Sequence, residues 1–263
     1  MAWVTEQYTR LPEGWAPQAE SLRERVVLIV GASGGLGRAS ALAAARAGAN
    51  VVLLGRKVRA LEKVYDEIIA LNQTGLNQAA PALYPLDLSG ATPRDYEELA
   101  TTIEREYHRL DGIVHAAAHF DGLRPASEIA PEEWMRALHV NLTAPFLLTQ
   151  ACLPLLQTSA DASVVFVLDD PARMGKAYWG GYGAAKHAVA GIASILHEET
   201  ENSSVRVHAL LPAPMRTALR RTAYFGENTV ALPTPDASAA AVVYLLGAPG
   251  SAARGRTLDL RAQ

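Results

Sequence analysis

Apolar residues along this chain fall in short runs that alternate with longer stretches of helical period. The runs are RVVLIV at 25–30, NVVLL at 50–54, ALYPLDL at 82–88 and GIVHAAA at 112–118. SVVFVL at 163–168, VRVHALL at 205–211 and RTLDL at 256–260 continue the series. Between them the spacing predicts helices over 36–48, 58–72, 93–110, 131–156, 181–201 and 236–247. Pro131 followed by Glu132 and Glu133 suits a helix start, where a missing N–H is harmless and acidic groups meet the dipole. The strand runs are apolar on both faces, the pattern of a parallel sheet covered by helices on each side. Such alternation predicts a single doubly wound α/β domain over residues 22–263. Residues 1–21, with two prolines and two tryptophans and no steady period, are expected to form an arm laid on its surface.

Composition narrows the function classes. Twenty-four Lys and Arg against 27 Asp and Glu leave a formal charge of −3, which argues against a nucleic-acid partner. A hydrophobic share of 49% argues against disorder. The single cysteine, Cys152, rules out an intramolecular disulfide framework and reads as a small core residue in a reducing compartment. The N-terminus has no basic segment followed by an apolar one, and no run approaches the roughly 18 apolar residues of a membrane helix. The expectation is a soluble, cytoplasmic protein with no membrane segment. His108, His139, His187 and His197 lack metal-ligand spacing and read as structural, so no metal site is expected.

Strand 25–30 runs into Gly31-Ala32-Ser33-Gly34-Gly35-Leu36-Gly37 and then an alanine-rich helix. Glycines there permit a tight turn and close approach of N–H groups to a pyrophosphate at the helix N-terminus. The run 50–54 ends at Gly55-Arg56-Lys57. An NAD site favours an acidic residue at this place for the ribose 2′-OH, whereas Arg56 suits a 2′-phosphate. That favours NADP(H) over NAD(H). Tyr182 and Lys186, four apart in a helical segment, share one face. A cation beside a phenol lowers its pKa and prepares it to exchange a proton with a carbonyl oxygen.

Together these residues resemble the short-chain dehydrogenase/reductase family, from about residue 22 to the end of the chain. The G-x3-G-x-G turn at Gly31, Gly35 and Gly37 carries the likeness, with Asp87, Asn141, Tyr182, Lys186 and the stretch from Pro212 to Thr217. The segments ARMGKAYWGGYGAAK and LLPAPMRTALR resemble the YciK-type bacterial branch, NADP-type oxidoreductases of poorly defined substrate. The resemblance implies a Rossmann-like fold. It also implies a cofactor site at Gly31, Ser33, Gly35, Leu36, Gly37, Arg56, Asp87, Leu88, Ala117, Pro212 and Thr217. Tyr182 would be the proton donor, Lys186 would bind the nicotinamide ribose and lower the tyrosine pKa, and Asn141 would anchor a relay water. Family members commonly pair through the helix at 181–201, here rich in small residues (Gly183, Ala184, Ala188, Gly191, Ser194), which implies a homodimer or homotetramer.

The chain departs from the family at one chemically decisive place. The family's serine, thirteen residues before the tyrosine, is Asp169 here, and no serine or threonine occurs from Val164 to Gly181. An ionised carboxylate only accepts hydrogen bonds, so it repels developing charge on a substrate oxygen and raises the pKa of Tyr182. Two substitutes stay open: a protonated Asp169 that donates, or the hydroxyl of Tyr178 one helical turn earlier. The family's Asn-Asn-Ala-Gly reads His115-Ala116-Ala117-Ala118, Val30 replaces threonine, and Pro-Gly becomes Pro212-Ala213. Adjacent Asp169 and Asp170, read as lying on one strand, point to opposite faces and are expected to form neither a cation site nor a glycosidase pair. Segments 119–127 and 213–234, with Phe120, Leu219, Tyr224 and Phe225, are expected to line an apolar substrate side. The leading expectation is an NADP(H)-dependent oxidoreductase acting on a small carbonyl or alcohol, with Tyr182, Lys186, Asn141 and Asp169 at the reaction centre. The alternative is a family member that binds nucleotide or a partner protein without turnover.

Overall fold

Alternate residues of each apolar run point to opposite sides of one sheet, and both sides are covered. In the second strand, Val26, Leu28 and Val30 enter one core while Val27 and Ile29 enter the other. The computed structural model describes residues 7–72 and 80–261. Its strands are β1 Tyr8–Thr9, β2 Val26–Val30, β3 Asn50–Gly55, β4 Ala82–Pro85 and β5 Gly112–His115. They continue with β6 Ala162–Val167, β7 Val205–Leu211 and β8 Thr257–Asp259. All pair in parallel, in the order β1-β8-β7-β6-β5-β2-β3-β4. The helices are α1 Gly35–Arg46, α2 Val58–Asn72, α3 Pro93–Tyr107, α4 Pro131–Leu138 and α5 Ala144–Thr158. They continue with α6 Pro171–Met174, α7 Gly180–Glu199, α8 Ala218–Ala223 and α9 Asp236–Leu246. α1, α2 and α9 cover one face of the sheet, and α3, α5 and α7 cover the other, with Cys152 buried beneath α5.

From β2 the chain winds outward to β3 and β4, then returns to pair β5 on the other flank of β2 and winds away through β6, β7 and β8. The carboxyl ends of β2 and β5 therefore diverge at a switch point, where open α/β sheets hold their ligands. Asp111 fixes this junction from below. Its buried carboxylate accepts from the Val26 N–H, from the Ser159 hydroxyl and from both arms of Arg109. Burial pushes the Asp111 carboxyl up, but these donors outweigh it and hold the group below the usual carboxylate range.

Three expectations change. The segment before residue 22 does more than lie on the surface. Tyr8–Thr9 adds an edge strand to β8, the Thr257 N–H donates to Gln7 O at 2.9 Å, and Leu11 and Trp15 pack on the core beneath α9. Residues 1–6 of that expected arm lie outside the described residues. The helix expected over 131–156 is α4 and α5 joined by a π turn, His139–Thr143. The strands expected at 82–88 and 112–118 end at Pro85 and His115, so Leu86–Leu88 and Ala116–Ala118 form loops at the crevice.

Candidate active site

The glycine turn is dictated by close backbone approach. Gly31 has φ +85°, and a Cβ there would lie 2.6 Å from the Ala117 backbone. A Cβ on Gly37 would meet Gly31 O at 2.1 Å. The turn is thus wedged between the ends of β2 and β5, with Ala117 against its floor. α1 starts immediately at Gly35, and the N–H groups of Gly35, Leu36 and Gly37 are those a helix leaves without an intrahelical acceptor. Ser33 flanks the turn, half-buried, beside Gly55. Thr217 stands across the crevice, its Cγ2 2.7 Å from where a Gly35 Cβ would be. It caps α8 by accepting from the Arg220 N–H at 3.1 Å, and Pro212 sits half-buried at the end of β7.

Arg56 is exposed where β3 ends, and its charge is felt at Asp87 on the neighbouring loop. The Ser89 N–H donates to Asp87 and, with Arg56 and His119, holds its carboxyl below the ordinary range against a smaller effect of burial. Leu88 beside it is buried. These groups flank the crevice on the side of β3 and β4. Shape and donor chemistry fit a dinucleotide: a glycine cradle that any Cβ would fill, free helix-end N–H groups, and a cation where a 2′-phosphate belongs.

Tyr182, Asp169 and Lys186 converge at the end of β6. The Tyr182 hydroxyl donates to Asp169 Oδ2 at 2.8 Å, and Asp169 Oδ1 accepts from the Asp170 N–H at 2.7 Å. Burial, and then the charge and hydrogen bond of Asp169, push the Tyr182 phenol well above its ordinary pKa. The direction is the one expected of the Asp169 carboxylate, and with burial it outweighs the lowering expected of Lys186. The Lys186 ammonium donates instead to Val167 O at 2.8 Å and lies 5.7 Å from the centre of the Tyr182 ring. Burial lowers the Lys186 pKa to about 8, with Asp169 opposing. Asp169 and Asp170 both follow β6 rather than lying on it. Asp170 caps α6 through the Ala172 N–H and pairs with Arg261, so it takes a structural part.

Asn141 lies in the π turn, an insertion that sequence periodicity does not encode and that recurs at functional sites. Both of its side-chain N–H donors are used. Oδ1 accepts from the His119 N–H at 2.9 Å, and Nδ2 donates to His119 O and Ala137 O, each at 2.8 Å. Asn141 therefore ties the loop after β5 to the helix layer.

An aromatic cover closes over Tyr182. Phe120 and Trp179 stack at 5.3 Å, Phe120 lies 5.2 Å from Tyr182, and Tyr224 reaches Trp179 at 5.8 Å. Tyr224 is held between Arg173 and Arg220, the latter fixed by Glu227 at 2.7 Å through two bonds. Phe120, Leu219 and Tyr224 pack in one cluster with Tyr182, whereas Phe225 is 90% exposed. The packing of Trp179 over Tyr182 and the Arg173–Tyr224–Arg220 stack carry no signal in the sequence. Residues 173–179 and 220–224 are two segments far apart in the chain, and no spacing joins them. A cavity of about 310 Å³ lies behind the pair, lined by Tyr8, Asp169, Lys186, His187, Leu211 and Thr257 among others.

Tyr178, the other substitute, lines a cleft that Tyr182 also borders. It precedes α7 with φ +77°, is 55% exposed, and its carbonyl accepts from the Arg124 N–H. On α7, Gly183 and Ser194 are buried within the chain, so Ala184, Ala188 and the half-buried Gly191 are what the expected pairing face retains. Among the described residues no group of three or more His, Cys, Asp or Glu is placed to hold a metal ion, and no helix is long and apolar enough to cross a membrane.

Comparison with known proteins agrees with this geometry. Residues 25–227 match the family model described as short chain dehydrogenase. The chain is 37% identical over 245 residues to an uncharacterised oxidoreductase of Escherichia coli K12, YciK, covering 93% of this chain and 95% of that one. A short chain dehydrogenase structure from Salmonella enterica serovar Typhi superposes with a TM-score of 0.88 at 36% identity, covering 93% of this chain and 99% of that one. A structure of short-chain-dehydrogenase type from Escherichia coli CFT073, complexed with NADPH, gives 0.86 at 37% identity, covering 92% and 99%.

Proposed function

The chain belongs to the short-chain dehydrogenase family, and on that footing we propose that it is an NADP(H)-dependent oxidoreductase interconverting a carbonyl and a secondary alcohol. The observation that carries the reading is the meeting of Tyr182, Asp169 and Lys186 at the end of β6. When bound, the nicotinamide supplies or takes the hydride.

The chain's own groups bind, orient and handle the proton. The first N–H groups of α1 and Ser33 hold the diphosphate, and Arg56 holds the 2′-phosphate. Asp87 and Leu88 border the adenosine end, while Ala117, Pro212 and Thr217 flank the nicotinamide end. Tyr182 exchanges the proton with the substrate oxygen, and Lys186 steadies the charge that exchange leaves. Asn141 holds the loop after β5 in place and offers its main chain to a relay water. Phe120, Trp179 and Tyr224 cover the reacting hydroxyl and favour a substrate with an apolar body. The NADPH complex of the similar Escherichia coli structure supports the cofactor choice.

One observation favours a second reading, a nucleotide-binding member without effective turnover. The phenol proton is committed to Asp169 rather than to a substrate oxygen. Fluorescence titration with NADPH and NADH separates the readings from a non-binding protein. Saturable NADPH binding, tighter than NADH by about tenfold or more, is expected, because a charge-assisted guanidinium–phosphate bond contributes about 1.5–3 kcal/mol. Arg56→Ala should erase that preference without weakening NADH. No binding at millimolar cofactor sinks both nucleotide readings.

The protein is further proposed to be cytoplasmic and to act as a homodimer or homotetramer. Exposed Ala184 and Ala188 on α7 and Ile195, 55% exposed, support the pairing. A monomer in sedimentation equilibrium removes that claim.

A further inference from the structure

His115 ends β5 next to the junction, is 4% exposed, and stacks on Phe166 at 4.9 Å. Its Nε2 lies 2.8 Å from Thr149 Oγ1, and that hydroxyl lies 2.8 Å from Pro145 O. The threonine has one proton. Both short contacts are hydrogen bonds only if the hydroxyl donates to Pro145 O and Nε2 carries the imidazole proton. Nδ1 is then a bare lone pair. Among the described residues no protein group meets it, although the side chain is buried. A buried acceptor of this kind costs stability unless a donor reaches it.

The charge that bears on the ring is the Lys186 ammonium. His115 pairs with Phe166 across β5 and β6, and Lys186 is anchored one residue further, on Val167 O. That bond uses one of the ammonium's three protons. Two donors and one unmet acceptor therefore stand at the ends of neighbouring strands. Burial, followed by Lys186, drives the imidazole pKa down to about 3, so the ring is neutral and its lone pair persists at physiological pH.

We propose that His115 is a positioning residue for Lys186, its Nδ1 accepting from a buried water to which the Lys186 ammonium donates. The inference rests on the reading of Lys186 as a working residue. The groups that face Lys186 are then Asp169 from the loop after β6, Tyr182 from its own helix and His115 from β5. Asp169 and the water hold the charge from two sides, and His115 orients the ammonium without touching the reacting atoms.

Long-range proton–nitrogen NMR on the full chain tests this without needing turnover. The wild type should show His115 protonated at Nε2, with Nδ1 in the position of a hydrogen-bonded acceptor. Thr149→Val should release that tautomer preference. A Lys186 side-chain titration should fall by about one pH unit in His115→Phe, which keeps the stack on Phe166 but removes the acceptor. His115→Asn, which keeps an acceptor, should recover most of that shift, whereas a merely structural histidine would leave the titration unmoved. An Nδ1–H tautomer, a free Nδ1, or an unchanged Lys186 midpoint in a folded His115→Phe protein overturns the proposal. Loss of NADPH binding in the wild type would sink the oxidoreductase reading and leave these resonances to decide separately.

Discussion

Serine at position 169 is expected to raise carbonyl reduction at neutral pH by about 10–100-fold. The bond from the Tyr182 hydroxyl to Asp169 Oδ2 must break before that proton can face a substrate oxygen. A hydrogen bond to a charged group is worth about 1.5–3 kcal/mol, which converts to that range of rate. Removing the carboxylate also removes its repulsion of charge building on the substrate oxygen, and the new hydroxyl adds a donor. The measurement is kcat/KM for reduction of a panel of apolar ketones by NADPH, wild type against Asp169→Ser. A fall instead of a rise would make Asp169 a working acceptor of the phenol proton.

Tyr182→Phe carries the largest expected loss, about 10²–10⁴-fold in kcat, the usual contribution of a placed proton donor. The substitution keeps the ring that packs against Phe120 and Trp179, so the fold and NADPH affinity should be unchanged. Made in the Asp169→Ser background, it should cancel the gain from serine, because both changes act on one proton. If the single Tyr182→Phe variant retained full turnover, the proposed chemistry would be wrong even if cofactor binds.

Much of the frame was legible in the chain because strands buried on both faces leave long apolar runs. The ends of β2, β6 and β7 fall within one residue of the runs 25–30, 163–168 and 205–211. The glycine turn was legible for a different reason: contacts at 2.1 and 2.6 Å leave no room for any side chain. The opposition between Asp169 and Tyr182 also followed from residue type, since a carboxylate has no proton to give. What the chain hid depends on distances between remote segments. The Tyr182–Asp169 bond, the cover of Phe120, Trp179 and Tyr224, and the bonds of Asn141 to His119 each join parts that no period links. The anchoring of the Lys186 ammonium is of the same kind. Helical spacing placed Tyr182 and Lys186 on one face, but the ammonium turns to Val167 O.

The pairing of β1 with β8 has a consequence for the order in which the molecule is completed. Tyr8 is in register with Thr257, and Arg10 donates to Asp259 O at 2.9 Å, so the outer edge of the sheet needs both ends of the chain at once. Such a contact closes a loop of 249 residues, and the pairing lasts only two residues. It belongs to the last step of assembly and the first of local opening, at the low end of the range of opening free energies. Because Tyr8 also lines the cavity beside Asp169 and Lys186, fraying of that edge widens the cavity while the rest of the sheet stays paired.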